Sequence, residues 1–199
     1  SGSGRWYAGY IADFRFVNGT AVYSANFSPP TTQLLKITNT KLLLQGPGIF
    51  DKSDSRHAVT TGSVPATRPW TPYDRTKYTA AGNSGSAHFP GTSDEIKTND
   101  GSSNQVVLGS GDFTVEFWLY KNTADNTTWE TLISQNYGGT GGWRVYKTNG
   151  SGTLNWYTSS SNTLSSTIPI KQHVWHHIAY SRNSGTLACY VDGKAAGTA

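Results

Sequence analysis

The 199-residue sequence predicts an all-β fold, a sandwich or barrel of antiparallel strands. Three observations predict it. Apolar and polar residues alternate over short stretches, most clearly from Phe113 to Tyr120. Turn-forming clusters such as Asn18-Gly19, Asn149-Gly150-Ser151-Gly152 and Asp192-Gly193 separate those stretches at short spacing. No segment carries the 3.6-residue period of an amphipathic helix. With 13% aromatic residues and only 14% charged, the chain has enough apolar surface to form a core and is not disordered in composition.

Taken in order, Tyr10 to Val17 alternates as a strand and ends at Asn18-Gly19. Residues 21 to 27 fit a helical turn that Pro29-Pro30 stops. Residues 41 to 45 read as an apolar strand, 46 to 85 as turn-rich loop with short strands, and 86 to 89 and 94 to 97 as two further short strands. In the stretch 113 to 120, Phe113, Val115, Phe117 and Leu119 are expected in the core. Thr114, Glu116, Trp118 and Tyr120 are expected on the outer face. Strands follow at 131–135, 143–148 and 153–158, the last two forming a hairpin. A short edge strand carrying Pro169 is expected at 167–170. Two more strands, 174–181 and 186–191, lead to the Asp192-Gly193 turn and a return strand from Lys194.

The net charge of +4 is spread without a Lys/Arg run, so the footprint of a nucleic-acid binder is missing. No stretch approaches the length of a membrane span. The single cysteine, Cys189, alternates with Leu187 and Val191 and reads as a small buried apolar residue.

Several phrases together resemble laminin G-like jelly-roll domains of the concanavalin A-like lectin/glucanase superfamily, of the type found in bacteriophage structural and tail-fibre proteins. They are Gly109-Ser110-Gly111-Asp112-Phe113-Thr114-Val115-Glu116-Phe117-Trp118, Trp175-His176-His177-Ile178-Ala179, Tyr190-Val191-Asp192-Gly193 and Gly9-Tyr10-Ile11-Ala12-Asp13-Phe14-Arg15. The resemblance implies an antiparallel two-sheet β-sandwich. In such domains the Gly-Tyr-Ile strand stands near the end, whereas here it comes first. The expected division is therefore a terminal strand segment, 1–30, that completes a sandwich, and a laminin G-like body, 31–199. Either the chain is an excerpt of a tandem array, or it is a permuted or strand-exchanged unit. Residues 9 to 17 are expected to pair with the body's sheet, in the same chain or in a neighbour.

Sandwich glucanases of this superfamily carry Glu-x-Asp-x-x-Glu on one strand. Here the best strand offers only Asp112 and Glu116, about 13 Å apart on one face. No Gly-x-Ser-x-Gly elbow is present. The chain is thus expected to be no enzyme, and a divergent glycosidase ranks third among the readings. His176 and His177 face opposite sides of a strand and cannot share one ion; His177 reads as a hydrogen-bonded core residue. No cofactor is expected except calcium, which relatives bind with loop oxygens. The candidates are Asp94, Glu95, Asp100 and Asp125. Aromatic residues are the candidate ligand contacts: Trp118, Tyr120, Trp129, Tyr137, Trp143 and Trp156. The leading expectation is a structural or adhesion module of a virion or extracellular assembly, partnered by copies of itself or other assembly proteins and contacting a glycan. The alternative is a free-standing lectin-like domain of a secreted protein. Neither nucleic acid nor membrane is expected as a partner.

Overall fold

The structure is a computed structural model that describes residues 6–46, 49–62, 66–73, 85–91, 94–99, 106–122, 129–136, 141–158 and 161–199. Its described elements are all strands: β1 (Ala8–Asn18), β2 (Thr40–Gln45), β3 (Phe50–Asp51), β4 (Ala58–Gly62), β5 (Ala66–Arg68), β6 (Ser86–Pro90), β7 (Glu95–Asn99), β8 (Phe113–Lys121), β9 (Glu130–Gln135), β10 (Trp143–Lys147), β11 (Leu154–Thr158), β12 (Ser161–Ser165), β13 (Trp175–Asn183), β14 (Thr186–Val191) and β15 (Lys194–Thr198). They form a large antiparallel sheet in the order β15-β14-β13-β8-β1-β2-β3, with β5 and β6 joined to it through β1. A four-stranded sheet, β12-β11-β10-β9, packs across it, and β4 and β7 make a separate pair. The architecture is that of a jelly-roll sandwich.

The core lies between the large and the four-stranded sheets. Phe113, Val115, Phe117 and Leu119 all point into it, as the alternation predicts, beside Ile178 and Tyr180 of β13 and Leu187, Cys189 and Val191 of β14. Trp143, Val145, Leu154 and Trp156 close it from the smaller sheet. Burial pushes the Cys189 thiol up to about 12, so this cysteine is a packing residue. A polar pair also enters the interior: Lys147 and Glu130 stand 3.6 Å apart, both almost fully enclosed.

The first strand occupies the middle of the large sheet. β1 pairs along β8 on one side, and on the other it pairs first with β6 (Ala8 to Ile11) and then with β2 (Phe14 to Val17). Residues 9 to 17 thus pair within the same chain. The change of neighbour coincides with a bulge between Ala12 and Arg15, where Asp13 adopts φ 47°. The Asp13 carboxylate steadies this bulge by accepting from the Leu34 N–H at 3.1 Å and from the Tyr73 hydroxyl. Near the strand's start Gly9 admits a close approach: a Cβ there would stand 2.2 Å from both the Tyr120 carbonyl oxygen and the Tyr7 hydroxyl.

Two expectations need correcting. Residues 167–170 form no strand. The edge strand is β12, whose Ser161–Ser165 sequence has no aromatic residue and only Thr163 as a β-branched one, a weak strand signal. Residues 21–27 make no helical turn; they belong to an extended strap that crosses the outer face of the large sheet.

Candidate functional site

The strap decides what the outer face of the large sheet can do. From Thr20 to Ile37 it is held to β1, β8, the Asp192-Gly193 turn and β15 by specific bonds. The Val22 N–H donates to Thr114 Oγ1 at 2.8 Å and the Phe27 N–H to the Gly193 carbonyl at 2.9 Å. Asn26 Oδ1 accepts from the Ala195 N–H at 2.8 Å, and Arg15 donates to the Leu35 carbonyl at 2.6 Å. Tyr23 and Phe27 stack at 3.6 Å and lie against His177 and Tyr190.

Under the strap sits a charged network. Glu116, expected on the solvent face, is 0% exposed. Its carboxylate accepts from Arg15 Nε at 2.8 Å and Nη2 at 2.5 Å, from the Tyr23 hydroxyl at 2.7 Å, and shares a hydrogen bond with His177 Nε2 at 3.1 Å. Burial by itself pushes the Glu116 carboxyl up, but the His177 bond and the Arg15 guanidinium outweigh it and hold the group below its ordinary value. Burial, and then the Glu116 charge, push the Tyr23 hydroxyl far up. Every lone pair that Glu116 could offer a substrate is already engaged. His177 is a hydrogen-bonded buried residue, as its phrase suggested. His176 faces the other way, with Nδ1 2.7 Å from Asp192 and Nε2 accepting from the Lys171 N–H at 3.1 Å.

Burial also reassigns half of the candidate aromatic contacts. Trp118, expected on an open face, is 7% exposed and packs beneath Tyr73 and beside His177. Trp143 and Trp156 are core residues that stack on each other at 4.8 Å, within 5° of parallel. Tyr137 lies outside the described residues.

Tyr120 and Trp129 stand at the surface in two different settings. Tyr120 belongs to a half-buried cluster at one end of the large sheet's outer face, with Tyr10, Trp70 and Trp175. Trp70 contacts Tyr120 at 4.2 Å and Tyr10 at 4.7 Å, edge to face, so each ring covers its neighbour. Sequence reading missed Tyr10, Trp70 and Trp175 as members, because they come from three distant stretches of chain. Trp129 stands beside the outer face of the smaller sheet. It is 38% exposed and stacks on Tyr146 at 5.4 Å and 15°. The Arg144 guanidinium lies 4.4 Å over the Tyr146 ring and 5.0 Å over Tyr157. Trp129 Nε1 donates to Asn149 Oδ1 at 3.1 Å, which fixes the indole's rotation. The indole is thus backed by a tyrosine while part of the side chain stays exposed.

The calcium candidates do not assemble into a cradle among the described residues. Glu95 pairs with Lys97 at 2.6 Å, no group of three metal-ligating side chains is gathered, and Asp100 and Asp125 lie outside the described residues.

Comparison with known proteins agrees with the architecture. Neither the curated proteins nor the solved structures contain a match to the chain. A laminin G family model, described as concanavalin A-like lectin/glucanases superfamily, matches residues 90–199, which include β8 to β15 and leave β1 outside. The match spans more than half of the sequence and both sheets of the sandwich, and the chain belongs to this superfamily.

Proposed function

We propose that the chain is a non-catalytic module that contacts a glycan through Trp129, and that it serves in a virion or extracellular assembly. The superfamily fits a carbohydrate-binding or structural module. The observation that carries the glycan reading is the Trp129 platform: an indole stacked on Tyr146, tethered to Asn149 and 38% exposed. The apolar C–H face of a pyranose packs on such a ring without an ordering penalty in the protein, since the ring is already held. The absence of catalysis is supported by Glu116, whose carboxylate is sealed under the strap and bonded on both oxygens. The assembly setting rests on the likeness of the sequence phrases to phage structural proteins.

The test is a glycan array followed by titration of the best hit with the parent chain and with Trp129→Ala. The substitution is expected to weaken binding by about tenfold or more, the loss of one aromatic anchor of about 1.4 kcal/mol. Equal affinity in the two proteins, or hydrolysis of a bound oligosaccharide that Glu116→Gln abolishes, would sink the reading.

A second reading has its own observation. The rings of Tyr10, Trp70, Tyr120 and Trp175 cover one another edge to face, which leaves no free platform for a sugar but suits a contact with protein side chains. Such a contact would be made by copies of the chain or by other assembly proteins. Light scattering of the parent and of Tyr120→Ala decides it: a multimer that the substitution dissociates supports the contact.

A further inference from the structure

The turn that joins β10 to β11 carries chemistry of its own. Asn149 is followed by Gly150, and both are exposed. Gly150 stands at φ 75° with nothing within 4 Å of the place a Cβ would take. Its N–H makes no hydrogen bond among the described residues, so no bond has to open before the nitrogen can react. The neighbouring carboxamide is held in place: Asn149 Oδ1 accepts the Trp129 indole N–H at 3.1 Å. A donor on that oxygen draws electron density from Cγ and stabilises the negative charge that collects on Oδ1 when a nucleophile adds.

We infer that Asn149 is a self-modification site, converted through a succinimide to aspartate or isoaspartate, with Trp129 as the positioning donor. The Gly150 backbone nitrogen gives its proton to solvent base and forms a bond to Asn149 Cγ. The Cγ–Nδ2 bond breaks, and the nitrogen takes a proton from solvent and leaves as ammonia. Water then adds to either ring carbonyl and opens the imide, giving an aspartate or an isoaspartate at position 149. No electrons are exchanged, and water is the only co-reactant.

The same dipeptide at Asn18-Gly19 is a built-in comparison. There the Gly19 N–H donates to the Asp112 carbonyl at 2.7 Å and the Asn18 N–H to the Asn39 carbonyl at 3.0 Å, at the end of β1. Asn18 Nδ2 donates to the Val107 carbonyl at 3.3 Å. Conversion at that site requires the strand end to open first. At position 149 the isoaspartate product lengthens the backbone of the turn by one methylene and shortens the arm that holds Trp129. Its effect on glycan contact rests on the platform reading, whereas the conversion itself does not.

The experiment ages the whole chain at neutral and mildly alkaline pH, digests it in mild acid and follows both peptides by mass spectrometry. Replacement of NH2 by OH and separation of the two isomers are the readouts. Conversion at position 149 is expected to outpace that at position 18 by about tenfold or more, because the bonded nitrogen must first be released. It is expected to quicken with alkalinity. Trp129→Phe keeps a ring over Tyr146 but lacks the N–H, and is expected to slow conversion by about threefold or more. An intact carboxamide at 149, conversion no faster than at 18, or an unchanged rate in Trp129→Phe overturns the inference. None of these outcomes depends on whether Trp129 binds a sugar.

Discussion

Replacing Glu116 by glutamine changes one oxygen to an NH2 group and removes one charge at the centre of the outer-face network. The parent carboxylate receives two bonds from Arg15 and one from Tyr23, and shares a fourth with His177. Glutamine must turn its NH2 toward at least one of these donors, and Arg15, itself 5% exposed, loses its counter-charge. Breaking a buried pair by removing one partner costs about 3–5 kcal/mol. For a chain of this length each kcal/mol lowers Tm by about 2–4 °C, so the expected fall is about 6–20 °C. Thermal and urea unfolding, followed by tryptophan fluorescence and circular dichroism, measure it. High salt should leave the loss almost unchanged, since an enclosed pair is weakly screened. The double variant Arg15→Met/Glu116→Leu removes both charges and should be less destabilised than Glu116→Gln alone. The reasoning fails if Glu116→Gln loses under about 1 kcal/mol, or if the double variant is the sum of its two single changes.

Two further expectations follow from the same face. Gly193 stands at φ 73°, and a Cβ there would lie 1.8 Å from the Phe27 carbonyl oxygen, so Gly193→Ala strains the turn and lifts the strap; unfolding should show a loss of about 1–3 kcal/mol, and an unchanged Tm would mean the strap is not seated on this turn. Acid should act late. The Asp192 carboxyl, which burial raises, is brought below its ordinary value by His176 and the His177 N–H, and Glu116 is likewise depressed. A depressed carboxyl contributes stability above its unfolded pKa, about 4, and loses it as pH falls through the lower folded value. Tm is therefore expected to fall steeply only below about pH 4, and less steeply in Glu116→Gln; an equal acid response in the variant would remove Glu116 from the account.

Much of the sandwich was legible before any coordinates. The row Phe113, Val115, Phe117 and Leu119 reaches the core because a strand's side chains alternate, and the turn at Asp192-Gly193 forms where its two residues tolerate positive φ. The sequence by itself also determined that β1 is a strand, and that Leu187, Cys189 and Val191 share one face. What it did not determine is which of the other faces meets water. Glu116 and Trp118 alternate correctly, yet Glu116 is buried by a strap that has no period of its own and is held by single hydrogen bonds to residues far along the chain, and Trp118 is buried under Tyr73. Trp143 and Trp156 were indistinguishable from surface aromatics because β10 and the first three residues of β11 are enclosed on both faces, which erases the contrast that alternation depends on. The Trp129 platform needed the fold for a related reason. Its backing ring comes from β10 and its tether from the turn beyond, and only the register of β9 against β10 brings them together. Alternation is a property of one strand, whereas burial and platform geometry are properties of what lies across from it.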